Sequence, residues 1–131
     1  MVICKPDAVE RRLVGEIIRR IEAEGLSLAA AELRLLDTET LDRHYEEHLD
    51  KPFYEDLVMF MSRSPSLLLV VEGAAETHLK VRAIMGATDP TRADSGTIRG
   101  DLGTELPENL VHGSESAESA EREIAIFFPG L

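Results

Sequence analysis

Positive charge is scarce in this sequence. Its 131 residues include 14 lysines and arginines against 25 aspartates and glutamates, which gives a formal net charge of -11 at pH 7. A surface of this kind repels the phosphate backbone of nucleic acids, so neither DNA nor RNA is expected as a partner. It also repels small phosphates. A phosphate-binding site in this chain therefore has to be built from a few locally placed cations.

Cysteines and long apolar runs are also rare. The single cysteine, Cys4, excludes an intrachain disulfide. The sequence shows no signal-peptide pattern and no apolar stretch long enough to cross a bilayer. We therefore expect a soluble, cytoplasmic protein without a membrane partner, folded as a single domain over residues 1–131.

The common phosphate-binding motifs are missing, because neither G-x-x-x-x-G-K-[ST] nor G-x-G-x-x-G occurs. Three cations nevertheless have unusual positions. Lys5 directly follows a predicted strand, Arg82 interrupts an apolar helix, and Arg99 lies in the segment SGTIRGD, whose glycines let the backbone approach a ligand. Together with Thr88 they would be sufficient to hold a polyphosphate, although each one alone is equally well explained as a structural or solvated residue.

Hydrophobic periodicity predicts an α+β fold. The predicted strands are 1–4, 26–36, 66–73 and 110–112, and the predicted helices are 14–24, 38–48, 53–61, 75–85 and 118–127. Residues 87–108 show no periodicity and are predicted to form a long loop of the functional kind. When the two short helices at 38–48 and 53–61 are treated as a helical hairpin insert, the order is βαββαβ. This order is typical of a ferredoxin-like antiparallel sheet covered by helices.

The segment HYEEH, from His44 to His48, matches the zinc-peptidase pattern H-x-x-E-H. A zinc hydrolase needs a third protein ligand and a substrate cleft, and the sequence offers neither a second cysteine nor a well-placed third histidine. We therefore expect a surface helix that carries two histidines, and a zinc hydrolase is the disfavoured alternative.

His112 is the strongest candidate for a catalytic residue. Gly113 removes side-chain bulk beside the ring, and Ser114 and Ser116 supply hydroxyl groups. Glu123 on the next predicted helix can accept the N–H of one ring nitrogen, which leaves the other nitrogen with a free lone pair for nucleophilic attack. The alternative is a hydrogen-bonded structural histidine at the end of a strand.

Five segments in order along the chain resemble the nucleoside diphosphate kinase family. They are KPDA at 5–8, HYEEH with the following KPF at 44–53, MGATDP at 85–90, GTIRGD at 96–101 and NLVHGSESAESAEREI at 109–124. The resemblance covers essentially the whole chain. It also argues against the zinc hydrolase, because the family has its His-Tyr pair at this place for reasons unrelated to metal.

The resemblance implies a ping-pong reaction, in which His112 takes the γ-phosphate of a nucleoside triphosphate and passes it to a different diphosphate. The residue roles that the family implies are phosphate binding by Lys5, Arg82, Thr88 and Arg99, base stacking by Phe53, ribose binding by Asn109, orientation of His112 by Glu123 and Ser114, and support by Tyr45. Mg²⁺ is expected as a chelate with the nucleotide phosphates. The family also implies a homo-oligomer, with a hexamer favoured over a tetramer.

Departures from the family pattern leave a second hypothesis open. Ala8 stands where a glycine is usual, and strain in the turn that aims Lys5 is expected if that glycine has a positive φ. Glu115 stands where an aspartate is usual. The alternative function is a nucleotide-binding regulatory module of the same fold without turnover, and retention of the whole set of catalytic and phosphate-binding residues argues against it.

Overall fold

A computed structural model describes residues 1–131. The strands are β1 (Val2–Cys4), β2 (Ser27–Arg34), β3 (Ser66–Glu72) and β4 (Val111–Gly113). The α-helices are α1 (Pro6–Glu10), α2 (Val14–Ala23), α3 (Thr38–His44), α4 (Tyr54–Ser62), α5 (Thr77–Met85), α6 (Ile98–Leu102) and α7 (Ala117–Phe127), with 3-10 helices at Glu46–His48 and Pro90–Arg92. None of these helices has both the length and the apolar character needed to cross a membrane.

The four strands form one antiparallel sheet in the order β2-β3-β1-β4. The short strand β1 lies in the interior, where Ile3 is paired with Leu68 of β3 on one side and with His112 of β4 on the other. The helices α2 and α5 provide the two crossovers of the βαββαβ order, and α3 with α4 forms the insert. The ferredoxin-like α+β fold predicted from the sequence is confirmed.

The alternation of side chains along β1 divides the core into two layers. Val2 and Cys4 pack with residues of α2 and α5, whereas Ile3 packs on the opposite face with residues of α3, α4 and α7. Directly paired residues of an antiparallel sheet project to the same face. The pairing of His112 with Ile3 therefore places the histidine on the face that α3 and α7 cover.

Two helices were not predicted. Residues 5–13 were assigned no helix or strand, but Pro6 begins α1, because the fixed φ of proline suits the first turn of a helix. Ala8 lies inside α1 and has no positive φ, so the strain expected there does not arise. The helix α6 lies in the predicted loop, and the hydroxyl of Thr97 caps it by accepting the N–H of Gly100 at 3.0 Å.

Candidate active site

A cavity of about 500 Å³ opens beside the end of β4, where residues of α3, α5, α6 and α7 approach one another. It brings together most of the predicted site residues, namely Lys5, Tyr45, Arg82, Thr88, Arg99, Asn109, His112 and Glu123. Ser114 and Phe53 do not line it. The elements that carry these side chains are far apart in sequence, so the cavity exists only in the folded chain.

The nucleophile candidate is held by a buried carboxylate. His112 Nε2 lies 2.8 Å from Glu123 Oε1, and the Ser114 hydroxyl donates to the same oxygen at 2.7 Å. Burial alone would raise the pKa of Glu123. The hydrogen bond to His112, the charge of His112 and the hydrogen bond from Ser114 together outweigh burial and lower the pKa to about 2. Because an ionised carboxylate only accepts hydrogen bonds, Nε2 carries the proton and Nδ1 keeps its lone pair.

His44 packs directly against this pair. Its ring contacts the His112 ring edge-to-face, with centroids 4.8 Å apart, and also packs on Phe127. Only 6% of His44 is exposed, and neither of its ring nitrogens has a hydrogen-bond partner. Burial, followed by the charge of His112, lowers the pKa of His44 to about 3, so the ring is neutral. The expectation that His44 lies on a surface helix is wrong.

Tyr45 lies next to His44 and lines the cavity. The two rings are 4.4 Å apart between centroids and meet edge-to-face. Burial and the nearby charge of Glu123 raise the pKa of Tyr45 above its ordinary value, so its hydroxyl stays protonated at neutral pH. The cavity therefore has a neutral hydroxyl close to the histidine pair.

Lys5 and Asn109 form a connected pair in the wall of the cavity. Lys5 follows β1, and its Nζ donates to Asn109 Oδ1 at 2.8 Å, while Asn109 Nδ2 donates to the carbonyl of Thr88 at 2.9 Å. Burial, then the positive charge of Arg99, lower the pKa of Lys5 to about 8. Asn109 is buried, and its amide holds Lys5 and the Thr88 backbone in place. Its contact with ribose stays a prediction.

The two arginines differ in exposure. Arg99 is only 6% exposed, and its guanidinium donates to the carbonyls of Gly86 at 3.0 Å, Asn109 at 3.2 Å and Val111 at 2.7 Å. Burial, then the charge of Arg82, lower the pKa of Arg99 to about 10, which leaves it charged at neutral pH. Arg82 is exposed, lines the cavity and forms no ion pair within the chain.

Phe53 lies outside the cavity wall. Half of the residue is exposed, so Phe53 is not part of the core. Its ring centroid is 5.6 Å from that of His48, which lines the cavity. Phe53 therefore occupies the rim of the cavity, and its stacking on a base stays a prediction.

The glycines near Arg99 and His112 have roles other than those expected. Neither Gly96 nor Gly100 lines the cavity. Gly96 has a φ of 93°, and a Cβ at Gly100 would collide with the carbonyl oxygen of Asp94. These glycines therefore shape the loop that carries Arg99. Gly113 permits the close approach of Met85, so it brings α5 near β4.

Arg122 is a cavity residue that the sequence analysis did not identify. It lies immediately before Glu123 on α7, and its guanidinium donates to the carbonyls of Arg43 at 2.6 Å and His44 at 3.3 Å. It also forms an ion pair with Glu46 at 3.3 Å. Arg122 thereby ties α7 to the end of α3, and its position next to Glu123 was the only signal available from the sequence.

The zinc-peptidase pattern does not form a metal site. The α-helix ends at His44, and Glu46–His48 is a separate 3-10 helix, so the two histidines do not occupy successive turns of one α-helix. His48 belongs to no cluster of metal-binding side chains. His44 instead groups with His112 and Glu123, with donor atoms within 4.8 Å of one another.

The sequence matches a known protein family over its whole length. The family model described as nucleoside diphosphate kinase matches residues 1–131. A nucleoside diphosphate kinase of Streptomyces coelicolor is 57% identical over 131 residues, which are 99% of this chain and 95% of that protein.

Two solved structures extend the likeness to the fold. The halophilic nucleoside diphosphate kinase of Halobacterium salinarum, solved in complex with CDP, superposes with a TM-score of 0.93 at 46% identity and covers 97% of this chain and 84% of its own. A family protein of Babesia bovis gives a TM-score of 0.93 at 43% identity, covering 97% and 85%. The chain therefore belongs to the nucleoside diphosphate kinase family of phosphotransferases.

Proposed function

We propose that this chain transfers the γ-phosphate of a nucleoside triphosphate to a different nucleoside diphosphate through a phosphohistidine at His112. One observation carries the assignment of the nucleophile. The 2.8 Å contact between His112 Nε2 and Glu123 Oε1 commits one ring nitrogen to the carboxylate and leaves Nδ1 with its lone pair, in a cavity lined by cations.

In the first half-reaction the Nδ1 lone pair forms a bond to the γ-phosphorus. The bond from that phosphorus to the β–γ bridging oxygen breaks, and its electron pair leaves with the diphosphate. The ring becomes positively charged, and the ionised Glu123 stabilises it through the Nε2 proton. In the second half-reaction a terminal oxygen of another diphosphate attacks the phosphorus, and the N–P electron pair returns to Nδ1.

The cations supply most of the remaining stabilisation, because phosphoryl transfer depends chiefly on positioning and on neutralising the phosphate oxygens. Arg82 and Thr88 are exposed in the cavity and are available to nucleotide phosphates. Lys5 lines the same cavity, and Arg99 adds positive charge from its buried position. Mg²⁺ enters as a chelate of the nucleotide, because three carboxylates do not converge anywhere in the chain.

Recognition of the nucleoside is assigned to the rim. Phe53 offers an exposed aromatic ring for stacking, and stacking is tolerant of base identity because every base has a π-face. We therefore expect several different bases to be accepted. Asn109 is assigned to the ribose side, and Tyr45 to a supporting contact near the phosphoryl group. The relative from H. salinarum, which was solved with CDP, supports nucleotide binding in this fold.

We also propose that the chain acts as a single domain in a homo-oligomer, with a hexamer favoured over a tetramer. The strand β2 lies at an edge of the sheet, and Leu33 on it is 60% exposed. An exposed edge strand with apolar side chains is a surface that another chain can cover. The net charge of -11 argues against nucleic acid as a partner.

Intact-mass spectrometry tests the phosphohistidine directly. The protein is mixed with slightly less than one equivalent of MgATP, measured, and then treated with GDP. We expect an acid-labile phosphoryl adduct that disappears as GTP forms, and no adduct on the His112→Asn variant. If the wild-type protein binds ATP without forming an adduct, the regulatory module without turnover replaces this proposal.

A further inference from the structure

We propose that His44, His112 and Glu123 bind Zn²⁺ in the nucleotide-free protein, and that the bound ion prevents His112 from accepting a phosphoryl group. The binding part stands on the geometry of these three residues. The inhibitory part rests on the phosphohistidine proposed above.

The buried ring nitrogens of His44 are the feature that indicates a ligand. It is 94% buried, because only 6% of it is exposed, yet neither ring nitrogen has a hydrogen-bond partner. Buried polar atoms are almost always paired, since an unpaired one costs free energy. Because neither nitrogen is used in a hydrogen bond, the lone pair of the imidazole is available to coordinate a metal. The proposed phosphoryl transfer gives no role to either ring nitrogen of His44.

The donor set suits zinc. Two imidazoles and one carboxylate are ligands that Zn²⁺ binds, and three protein ligands leave a fourth position for water or a phosphate oxygen. The three donor atoms lie within 4.8 Å of one another. Donors at ordinary zinc distances in a tetrahedral site are about 3.4 Å apart, so the widest separation has to close by no more than about 1.4 Å. Mg²⁺ prefers oxygen ligands and does not compete for this set.

Zinc and a phosphoryl group exclude each other on His112, because a neutral imidazole has only one free lone pair. If zinc binds Nδ1, the lone pair that would attack phosphorus is used. If zinc instead replaces the proton between Nε2 and Glu123, that proton moves to Nδ1 and occupies the same lone pair. Both geometries therefore leave His112 without a nucleophilic nitrogen.

Two nearby cations disfavour the binding of Zn²⁺. Lys5 and Arg122 also line this cavity, and their positive charges repel a metal ion. Nucleotide phosphates also bind zinc and would compete with the protein. The binding measurement therefore uses nucleotide-free protein, so that no nucleotide phosphate competes with the three side chains for the metal.

The first experiment is a titration of nucleotide-free protein with ZnCl₂ in competition with a chromogenic zinc indicator. His44→Gln is the informative variant, because glutamine has a similar length and its amide is a poor zinc ligand. His78→Ala is the matched control, since His78 lies on α5 outside the cavity.

We expect one zinc per chain in the wild-type protein and in His78→Ala. In His44→Gln the dissociation constant for zinc should rise at least about tenfold. Loss of a residue that only hydrogen-bonds a metal ligand already weakens binding by about that factor, and loss of a ligand itself should cost no less. Thermal unfolding checks that the variant is folded. The proposal is overturned if the wild-type protein binds no stoichiometric zinc, or if His44→Gln binds it as tightly.

A second measurement needs no variant. Protein phosphorylated with MgATP and then freed of nucleotide is titrated with zinc beside unphosphorylated protein. We expect the phosphorylated form to lose the site, and zinc-loaded protein to form no adduct until a zinc-selective chelator is added. Equal zinc binding by both forms contradicts the shared nitrogen. If no adduct forms even without zinc, the phosphohistidine fails, while the indicator titration still decides the metal site.

Discussion

The two sides of the cavity differ in how far they are organised before a nucleotide arrives. On the nucleophile side, His112, Glu123 and Ser114 are joined by contacts of 2.8 and 2.7 Å, and Glu123 and Ser114 are buried. On the phosphate side, Arg82 and Thr88 are exposed to solvent. In the proposed reaction the attacking group is therefore fixed in advance, whereas part of the contacts with phosphate form only when the nucleotide enters.

The two arginines on the phosphate side differ in their contacts and exposure. Arg99 donates to three backbone carbonyls from a buried position, while Arg82 forms no ion pair within the chain and is exposed. Both arginines line the same cavity. Arg99 therefore holds the wall together and adds charge to it, and Arg82 is the cation that can move onto a phosphate. Substitutions and changes of pH can separate these roles, and their expected effects differ in size.

The largest effect is expected from His112→Asn. This change removes the attacking lone pair and should lower kcat by more than about 10⁴-fold, as loss of a nucleophile does in other covalent enzymes. The fold and nucleotide binding should persist, because the side chain is 24% exposed and lies at the end of the sheet. Steady-state transfer from ATP to GDP measures the loss, and nucleotide titration is the control. Sustained turnover near the wild-type rate would exclude the covalent route.

The next effect compares Arg99→Met with Arg82→Met. Arg99→Met removes the three hydrogen bonds of a buried guanidinium to the carbonyls of Gly86, Asn109 and Val111, so we expect about 3 kcal/mol or more of lost stability. Arg82→Met should change stability by less than about 0.5 kcal/mol, as an exposed substitution does. Urea unfolding measures both. Equal stability of the two variants would show that the carbonyl contacts of Arg99 do not support the wall.

A smaller effect is expected from Glu123→Gln. The amide oxygen of glutamine can still accept a hydrogen bond from Nε2–H, but it carries no negative charge to stabilise the positive charge that develops on the ring. We expect kcat to fall on the order of 10- to 100-fold, the rate equivalent of one charge-assisted hydrogen bond. The rate of phosphohistidine formation in a single turnover measures this change. Ser114→Ala is the control, because it removes a neutral donor to Glu123 and should cost less.

Much of this site was predictable because its chemistry is local in sequence. His112, Ser114 and Glu123 lie within twelve residues of one another, and a strand followed by a helix brings them together, so the contact of Glu123 with His112 was predicted correctly. The βαββαβ order was predictable too, because long periodic segments form most of the sheet and the crossover helices.

The rest depends on tertiary contacts that no local pattern records. His44 was expected at the surface, because a single histidine in a charged helix gives no sign that α3 covers β4. The contacts of Arg99 with distant carbonyls were equally invisible. The helices α1 and α6 have only five residues each, which is too short for periodicity, although Pro6 and Thr97 carry start signals that could have revealed them.

The smallest effect concerns Lys5 and pH. Its pKa of about 8 lies below the ordinary value of 10.5, so in the free protein Lys5 loses its charge as the pH rises through about 8. We expect kcat/KM for the nucleotide to fall by less than about tenfold between pH 7 and 9, because one charged contact is lost.

Stability should respond to the same group with the opposite sign. An unfolded Lys5 binds its proton up to its ordinary pKa, whereas the folded one releases it near pH 8, so between these values the unfolded chain holds more protons. The Lys5 contribution to the free energy of unfolding therefore rises with pH across this window. Lys5→Met should remove both trends, which pH profiles of kcat/KM and of urea unfolding measure against the wild type. If kcat/KM and the free energy of unfolding of the wild-type protein changed with pH in the same direction, titration of Lys5 would not be the cause of both trends.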